Sequence, residues 1–342
     1  MRFHRTHTAL LAAIVLGCAL HSTSATAQSA EPLKGRTINL FIGFGPGGTY
    51  DLYARLLARH MGRHIPGNPP IVAQAMAGAG SILLANYLFN IAAKDGTAFG
   101  IVAGAIAVEE ALKTQGIAYR SAEFNWIGRA SNVTELLIGW HGAKAQTIAD
   151  TTRFETPTAG TGPASPSEGV PRLLNATLGT RFKIISGYTS SQLGLLAMEK
   201  GETDVAQTSW STLQSTRPDW VRDKRVNILV QCTFERVLPD VPTVLELART
   251  PDDRALLAFY TSSSEIGRSF LGPPGMPADR VALLRQAFAA TMQDPEFRAE
   301  IDKAKAELNW LPGDQLQTLI ADTVNVRPEI AARMKEILGP QK

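Results

Sequence analysis

The stretch INLFIGFGPGGTYDLYARLLARH, Ile38 to His60, passes from an apolar segment through a knot of glycines into an amphipathic segment. An apolar run, then glycines, then a 3.6-residue period is the pattern of a strand turning tightly into a helix. Leu52, Leu56, Leu57 and Met61 fall on one helical face. The grammar returns in PPIVAQAM (69–76), then AGAG and a helix over 82–93, and again in GTAFGIVAG (96–104). A β-α-β-α-β succession is met most economically by a parallel sheet with helices on its faces. The middle third repeats it. TPTAG (156–160) ends a strand and TGPASPSEG forms a polar loop. Ser165, Pro166 and Glu168 are spaced for a capping box. RFKIISGY, SSQLGLLAMEKG, ETDVAQTS and VNILVQC read as strand, helix, strand and strand. Toward the end, RSFLGPP and ELNWLP are strand-like, with helices expected over 278–292, after Asp294-Pro295, and from Asp314. No Gly/Ser linker divides these parts, so the chain is expected to cross between two lobes more than once.

Gly43, Gly45 and Gly48 carry the spacing G-x-G-x-x-G, which suggests a dinucleotide. That ligand also needs a carboxylate at the end of the second strand, to hold the ribose hydroxyls. This strand ends in Gln74, Ala75, Met76 and Ala77, so no nucleotide cofactor is expected. The physics of the loop survives. Glycines let backbone amides approach a ligand, and a helix N-terminus favours negative charge. Phe44, Gly45, Gly47, Gly48 and Thr49 form one such candidate loop. Asp51, in the first helical turn, is expected to bond the loop amides. Gly78, Ala79, Gly80 and Ser81 form a second loop, and Thr161, Gly162, Ser165 and Ser167 a third. In a parallel sheet such loops share the carboxyl edge, where a small anion would be held by amides and hydroxyls.

Residues 1–27 read as a secretory leader: Arg2 and Arg5, the apolar run TALLAAIVLGCAL, and a small-residue site at Ala25-x-Ala27. Cleavage after Ala27 would leave Cys232 as the one cysteine, in the apolar run NILVQC, where a buried hydrophobe is expected. Removing the two leader arginines from 34 basic against 31 acidic residues leaves a charge of +1, with no basic block, so nucleic acid is not an expected partner. His60 and His64 stand four apart beside Arg59 and Arg63; a solvated basic helix end is expected there, not a metal site. No serine-hydrolase motif is present.

FGPGGTYDLYAR resembles the PGGxxDxxAR signature of the extracytoplasmic solute receptors of the tripartite tricarboxylate transporters, the Bug receptors. MAGAGSILLANYLFNIAAKDGTAFGIV resembles their second glycine-rich loop, LPDVPTVLEL their PDVPT segment, and LGPPGMPADRVALLRQAF a later strand-to-helix segment. The resemblance spans nearly the whole mature chain. It implies an α/β periplasmic-binding-protein fold with a ligand crevice between two lobes. Lobe 1 would hold 36–135 and 258–342, and lobe 2 would hold 136–257. It implies a monomeric, periplasmic, non-enzymatic receptor without cofactor, which captures a small organic anion, a carboxylate, for membrane permease subunits. The alternatives are an exported enzyme acting on a small carboxylate and a receptor serving a sensor kinase. The sequence departs from the family after the middle strand, where Tyr188 is followed by no Lys or Gly, and at Thr208, where the family often has Asp. Thr161, Gly162, Ser165, Ser167, Tyr188 and Thr208 are therefore expected to set ligand choice.

Overall fold

The structure is a computed structural model that describes residues 33–162, 165–188 and 191–339; the leader read at 1–27 lies outside them. Its elements, in chain order, are β1 (Ile38–Ile42), α1 (Thr49–Met61), β2 (Ile71–Ala75), α2 (Ile82–Asn90), β3 (Ala98–Val102), α3 (Ile106–Ala111), β4 (Asn125–Ser131) and β5 (Glu135–Trp140). There follow β6 (Thr156–Gly160), α4 (Pro166–Leu178), β7 (Phe182–Ser186), α5 (Ser191–Glu199), β8 (Val205–Ser209), α6 (Trp210–Thr216), α7 (Pro218–Arg222) and β9 (Val226–Cys232). The chain ends with α8 (Pro251–Ile266), β10 (Arg268–Gly272), α9 (Ala278–Gln293), α10 (Pro295–Lys303), β11 (Leu311–Pro312), α11 (Gly313–Val324) and α12 (Pro328–Leu338).

Two sheets result. One is six-stranded in the order β11-β4-β10-β3-β1-β2, the other five-stranded in the order β7-β6-β8-β5-β9. Each has a parallel trio, β2-β1-β3 in the first and β7-β6-β8 in the second. Neither sheet is wholly parallel. β10 runs antiparallel to β3 and β4, and β5 antiparallel to β8 and β9. These antiparallel strands carry the chain between sheets, which the local grammar does not encode.

Both sheets are covered on both faces, so apolar residues alternate toward two cores. Ile38, Leu40, Ile42, Phe99, Ile101 and Phe270 face α1, α9 and α10. Val102, Trp126 and Leu271 face α2, α3 and α11. In the second sheet Leu136, Ile138 and Ala206 meet α5, α6 and α7, with Trp220 fully buried. Its other face packs on α4, α8 and the terminal helix α12, whose Ile330, Met334 and Leu338 join the core built on Leu137, Val230 and Cys232. Cys232 is a buried free thiol, and burial pushes its ionisation upward. Among the described residues no helix is long and apolar enough to cross a membrane.

The sheets join where β4 passes into β5 and where α8 passes into β10. Gly267 is required here twice over. Its φ of +54° disfavours any side chain, and a Cβ would collide with the Ser131 carbonyl. Val133 N donates to Ser264 O across the same joint at 2.9 Å.

Candidate functional site

Parallel pairing sets the loops after β1, β2 and β3 at one carboxyl edge, and those after β6, β7 and β8 at the other sheet's carboxyl edge. The sequence-predicted residues distribute over these loops, but their side chains do different work.

In the first loop Gly45, Gly47, Gly48 and Thr49 are exposed, and a Cβ at any of the three glycines would meet no atom within 4 Å. Asp51 is buried beneath them. Its Oδ2 accepts the Gly47 amide at 3.0 Å and its Oδ1 accepts Arg55 Nε at 2.8 Å. The Arg55 hydrogen bond holds the carboxyl below its ordinary range, with the Gly47 amide assisting and burial opposing. Phe44 stacks on Tyr50 with ring centroids 4.1 Å apart.

The second loop is folded against the first. Gly78, Ala79, Gly80 and Ser81 all have positive φ. Such a run in non-glycine residues stores backbone strain. Ser81 is fully buried; its Oγ accepts the Ala103 amide at 3.1 Å and donates to Gly43 O at 3.4 Å. The hydroxyl thus ties together the loops after β1, β2 and β3, while Ala79 and Gly80 stay exposed.

In the third loop four predicted residues converge. Ser167 Oγ accepts the Thr161 amide at 2.9 Å and shares hydrogen bonds with Thr161 Oγ1 at 2.9 Å and Ser165 Oγ at 2.7 Å. Ser165 also donates to Gly162 O at 2.7 Å. The expected capping box does not form. Ser165 makes no side-chain cap bond, and Glu168 turns instead toward Ser186 of β7, whose Oγ donates to it at 2.7 Å. Burial opposes ionisation of Glu168, yet Arg172 at 2.9 Å, Ser186 and the Gly162 amide together hold it below the usual carboxylate range. A non-local hydroxyl has outcompeted a local cap.

Tyr188 and Thr208 stand apart from this cluster. The Tyr188 hydroxyl lies 3.4 Å from Glu202, and burial, reinforced by Glu202, pushes its ionisation up. Thr208 is buried in the ladder opposite Leu136.

A cavity of about 200 Å³ is lined by Ala105, Ser165, Gly169, Tyr260, Ser263 and Met334 among others. A recess of about 350 Å³ is lined by Gln214 and Ser215 of α6 and by Asp302, Lys305, Ala306 and Glu307 at and beyond the end of α10. A further group of residues was missed by sequence reasoning. Gln207 Nε2 donates to Glu135 Oε2 across β8 and β5. Burial raises Glu135 to about 7, with Arg268 opposing. Burial also raises Tyr50, again opposed by Arg268 and by a bond to the Gly104 backbone. The only sequence signal was a charge heading each of two otherwise apolar strands, Glu135 in ELLIGW and Arg268 in RSFLG.

The helix end at His60 and His64 is not the solvated end expected. His60 is 5% exposed, with its Nε2 3.1 Å from Glu300; His64 Nε2 lies 2.8 Å from Asp294. His60, Asp294 and Glu296 are close enough to share a cation, but Arg63 already serves all three, at 2.9 Å from His60 Nδ1 and 2.5 Å from Asp294 and Glu296. The cluster latches α1 to α10.

No family model matches the sequence, and no curated protein matches it. Solved structures do. A TctC solute-binding protein from Polaromonas superposes with a TM-score of 0.68 at 17% identity, over 89% of this chain and 98% of that one. The periplasmic binding protein BugD gives 0.57 at 19% identity, over 89% and 98%. MatC from Rhodopseudomonas palustris, solved with bound malate, gives 0.58 at 22%, over 89% and 99%. A second Rhodopseudomonas palustris protein, solved with adipate, gives 0.60 at 19%, over 89% and 98%. The chain therefore has the periplasmic-binding-protein fold, two α/β sheets with helices on both faces. TctC and BugD solute-binding proteins share this fold over 89% of the chain.

Proposed function

We propose that the protein is an extracytoplasmic solute receptor of the tripartite tricarboxylate type, which captures a small carboxylate between two lobes and delivers it to a membrane permease. The observation that carries this reading is the presence of a carboxyl-edge loop set on each sheet, one with exposed, uncrowded glycines at a helix N-terminus and the other with linked hydroxyls. Such an arrangement suits an anion held by dipoles, and among the described residues of these loops no nucleophile is paired with a general base, so we read the protein as a non-enzyme. Malate and adipate, bound by two proteins of this fold, define the solute class to try first. The lobes in this reading are 36–135 with 258–342, and 136–257, braced by α12 against α4 and α8. The ligand-contacting residues are Phe44, Gly45, Gly47, Gly48, Thr49, Gly78, Ala79, Gly80, Thr161, Gly162, Ser165, Tyr188 and Thr208. Asp51, Ser81 and Ser167 shape the loops. Export with cleavage after Ala27, a periplasmic location, a monomeric state and a permease partner complete it.

The test is native mass spectrometry of the exported protein followed by calorimetry with a panel of mono- and dicarboxylates. One-to-one binding without turnover is expected. No binding by any carboxylate, or conversion of one, would overturn the reading.

A further inference from the structure

Two arginines are buried at the joint between the sheets, on adjacent antiparallel strands, and they differ in how they are satisfied. Arg129 of β4, 6% exposed, uses all three of its nitrogens: Nη1 on Glu265 O and on Glu265 Oε2 at 3.4 Å, Nε on Asn309 O at 3.2 Å, and Nη2 on Asn309 Oδ1 at 3.3 Å. Arg268 of β10 is equally buried, at 7% exposed, but only Nη1 is engaged, with Asn132 O at 3.0 Å and Ser131 Oγ at 3.5 Å. Its Nε is buried without a partner, and among the described residues no carboxylate lies within ion-pair distance of it. Its guanidinium lies over the Tyr53 ring, 5.3 Å from the centroid. A buried guanidinium with an idle fork is costly unless an anion meets it, because a protein arginine does not lose its charge.

We infer that Arg268 is an anion-binding residue of the interlobe space, accepting a carboxylate of the solute on its free Nε–Nη2 edge, with the Tyr50 hydroxyl as a neighbouring donor. The inference rests on the receptor reading above and names the charged residue that the glycine loops lack. Arg268 heads β10 at the crossing, and its Nη1 is held by Ser131 Oγ and Asn132 O at the end of β4. Tyr50 reaches the same place from the first turn of α1, next to the open glycine loop. Two carboxyls, Glu135 and Glu307, flank the guanidinium, and burial raises both, with Arg268 opposing. A carboxyl whose ionisation burial disfavours competes less for the cation and leaves it for a ligand. Bidentate pairing with a carboxylate is what a planar guanidinium edge does best. The solute would then carry one carboxylate to Arg268 while the glycine loops hold another polar end.

The test uses the mature wild-type chain, Arg268→Lys and Arg268→Gln, all at constant ionic strength made up with chloride. Malate and adipate are titrated by calorimetry. Acetate is titrated by thermal melting and by following the arginine side-chain Nε–H resonances, with that of Arg268 assigned from its loss in Arg268→Lys. Affinity is expected to fall at least tenfold in Arg268→Gln and less in Arg268→Lys, and acetate should shift the Arg268 Nε–H resonance and raise the wild-type melting temperature. Dicarboxylate affinity within twofold of wild type in a folded Arg268→Gln leaves the receptor reading standing and overturns this one. An acetate-dependent Arg268 shift in a protein that binds no larger carboxylate does the reverse. Should Arg268→Gln not fold, the wild-type resonance decides: no acetate response at Arg268 overturns the inference.

Discussion

The loop before α1 and the loop before α4 are built on the same device and finished differently. Each follows an inner strand of a parallel trio. Each helix has an acidic third residue, Asp51 or Glu168, that bonds a loop glycine amide, Gly47 or Gly162, and pairs with an arginine four residues on, Arg55 or Arg172. The carboxylate fixes the loop, and the arginine offsets its charge, so the helix N-terminus can still favour an anion. The first loop then leaves exposed glycines with open space where side chains would stand, whereas the second fills its space with Thr161, Ser165 and Ser167 hydroxyls bonded to one another. On the proposed function, the first loop would read any carboxylate, and the second, which must break or share existing hydrogen bonds to read a ligand, would be the selective half.

The comparison can be broken most forcefully at the two carboxylates. Glu168 is fully buried, so Glu168→Ala strands Ser186 and the Gly162 amide and should destabilise the protein by about 3 kcal/mol. Asp51→Ala should cost about half as much, since Arg55 is half in solvent. Urea denaturation of both variants decides; equal losses would mean the two loops are not finished differently. Next in size is Gly48→Val. Gly48 has extended backbone and no neighbour for a Cβ, so stability should move by less than about 0.5 kcal/mol, while carboxylate affinity falls about tenfold as the amides are screened. Calorimetry showing unchanged affinity would remove the first loop from the site.

Glu135, at the joint of the two halves, gives a pH signature. Its value is raised from the ordinary 4.5 to about 7, so the folded chain holds this proton more tightly than the unfolded chain. Its contribution to stability is therefore lost progressively as pH rises from about 4.5 to about 7, and levels off above. Glu135→Gln should flatten that part of the stability–pH curve while keeping a partner for Gln207; an unchanged slope would assign the proton elsewhere. The smallest effect is expected at Tyr188→Phe. With its hydroxyl on Glu202 at 3.4 Å, the change should alter stability by less than about 0.5 kcal/mol and ligand ranking less than Thr208→Asp does, as read by the same carboxylate panel.

The sequence by itself determined the strand–helix alternation, the glycine loops and the place of Asp51 beneath the first of them. Each of these is written in residues a few positions apart: a period of two or 3.6, a glycine where backbone must be bare, a carboxylate in a first turn. TPTAG and VNILVQC appear as strands at the residues read for them. The tertiary structure decided the rest, because it depends on groups far apart in the chain. Glu168 abandoned the local cap for Ser186, eighteen residues on, because a buried carboxylate takes whichever donors share its burial. His60 was buried by a helix more than two hundred residues later, and RSFLGPP and VNILVQC read as strands without any local mark that they pair antiparallel. Above all, the meeting of Tyr50, Glu135, Gln207 and Arg268 joins four distant elements. Their charges and hydroxyls look ordinary one at a time, and only burial where the two sheets meet pushes the Glu135 carboxyl and the Tyr50 phenol upward.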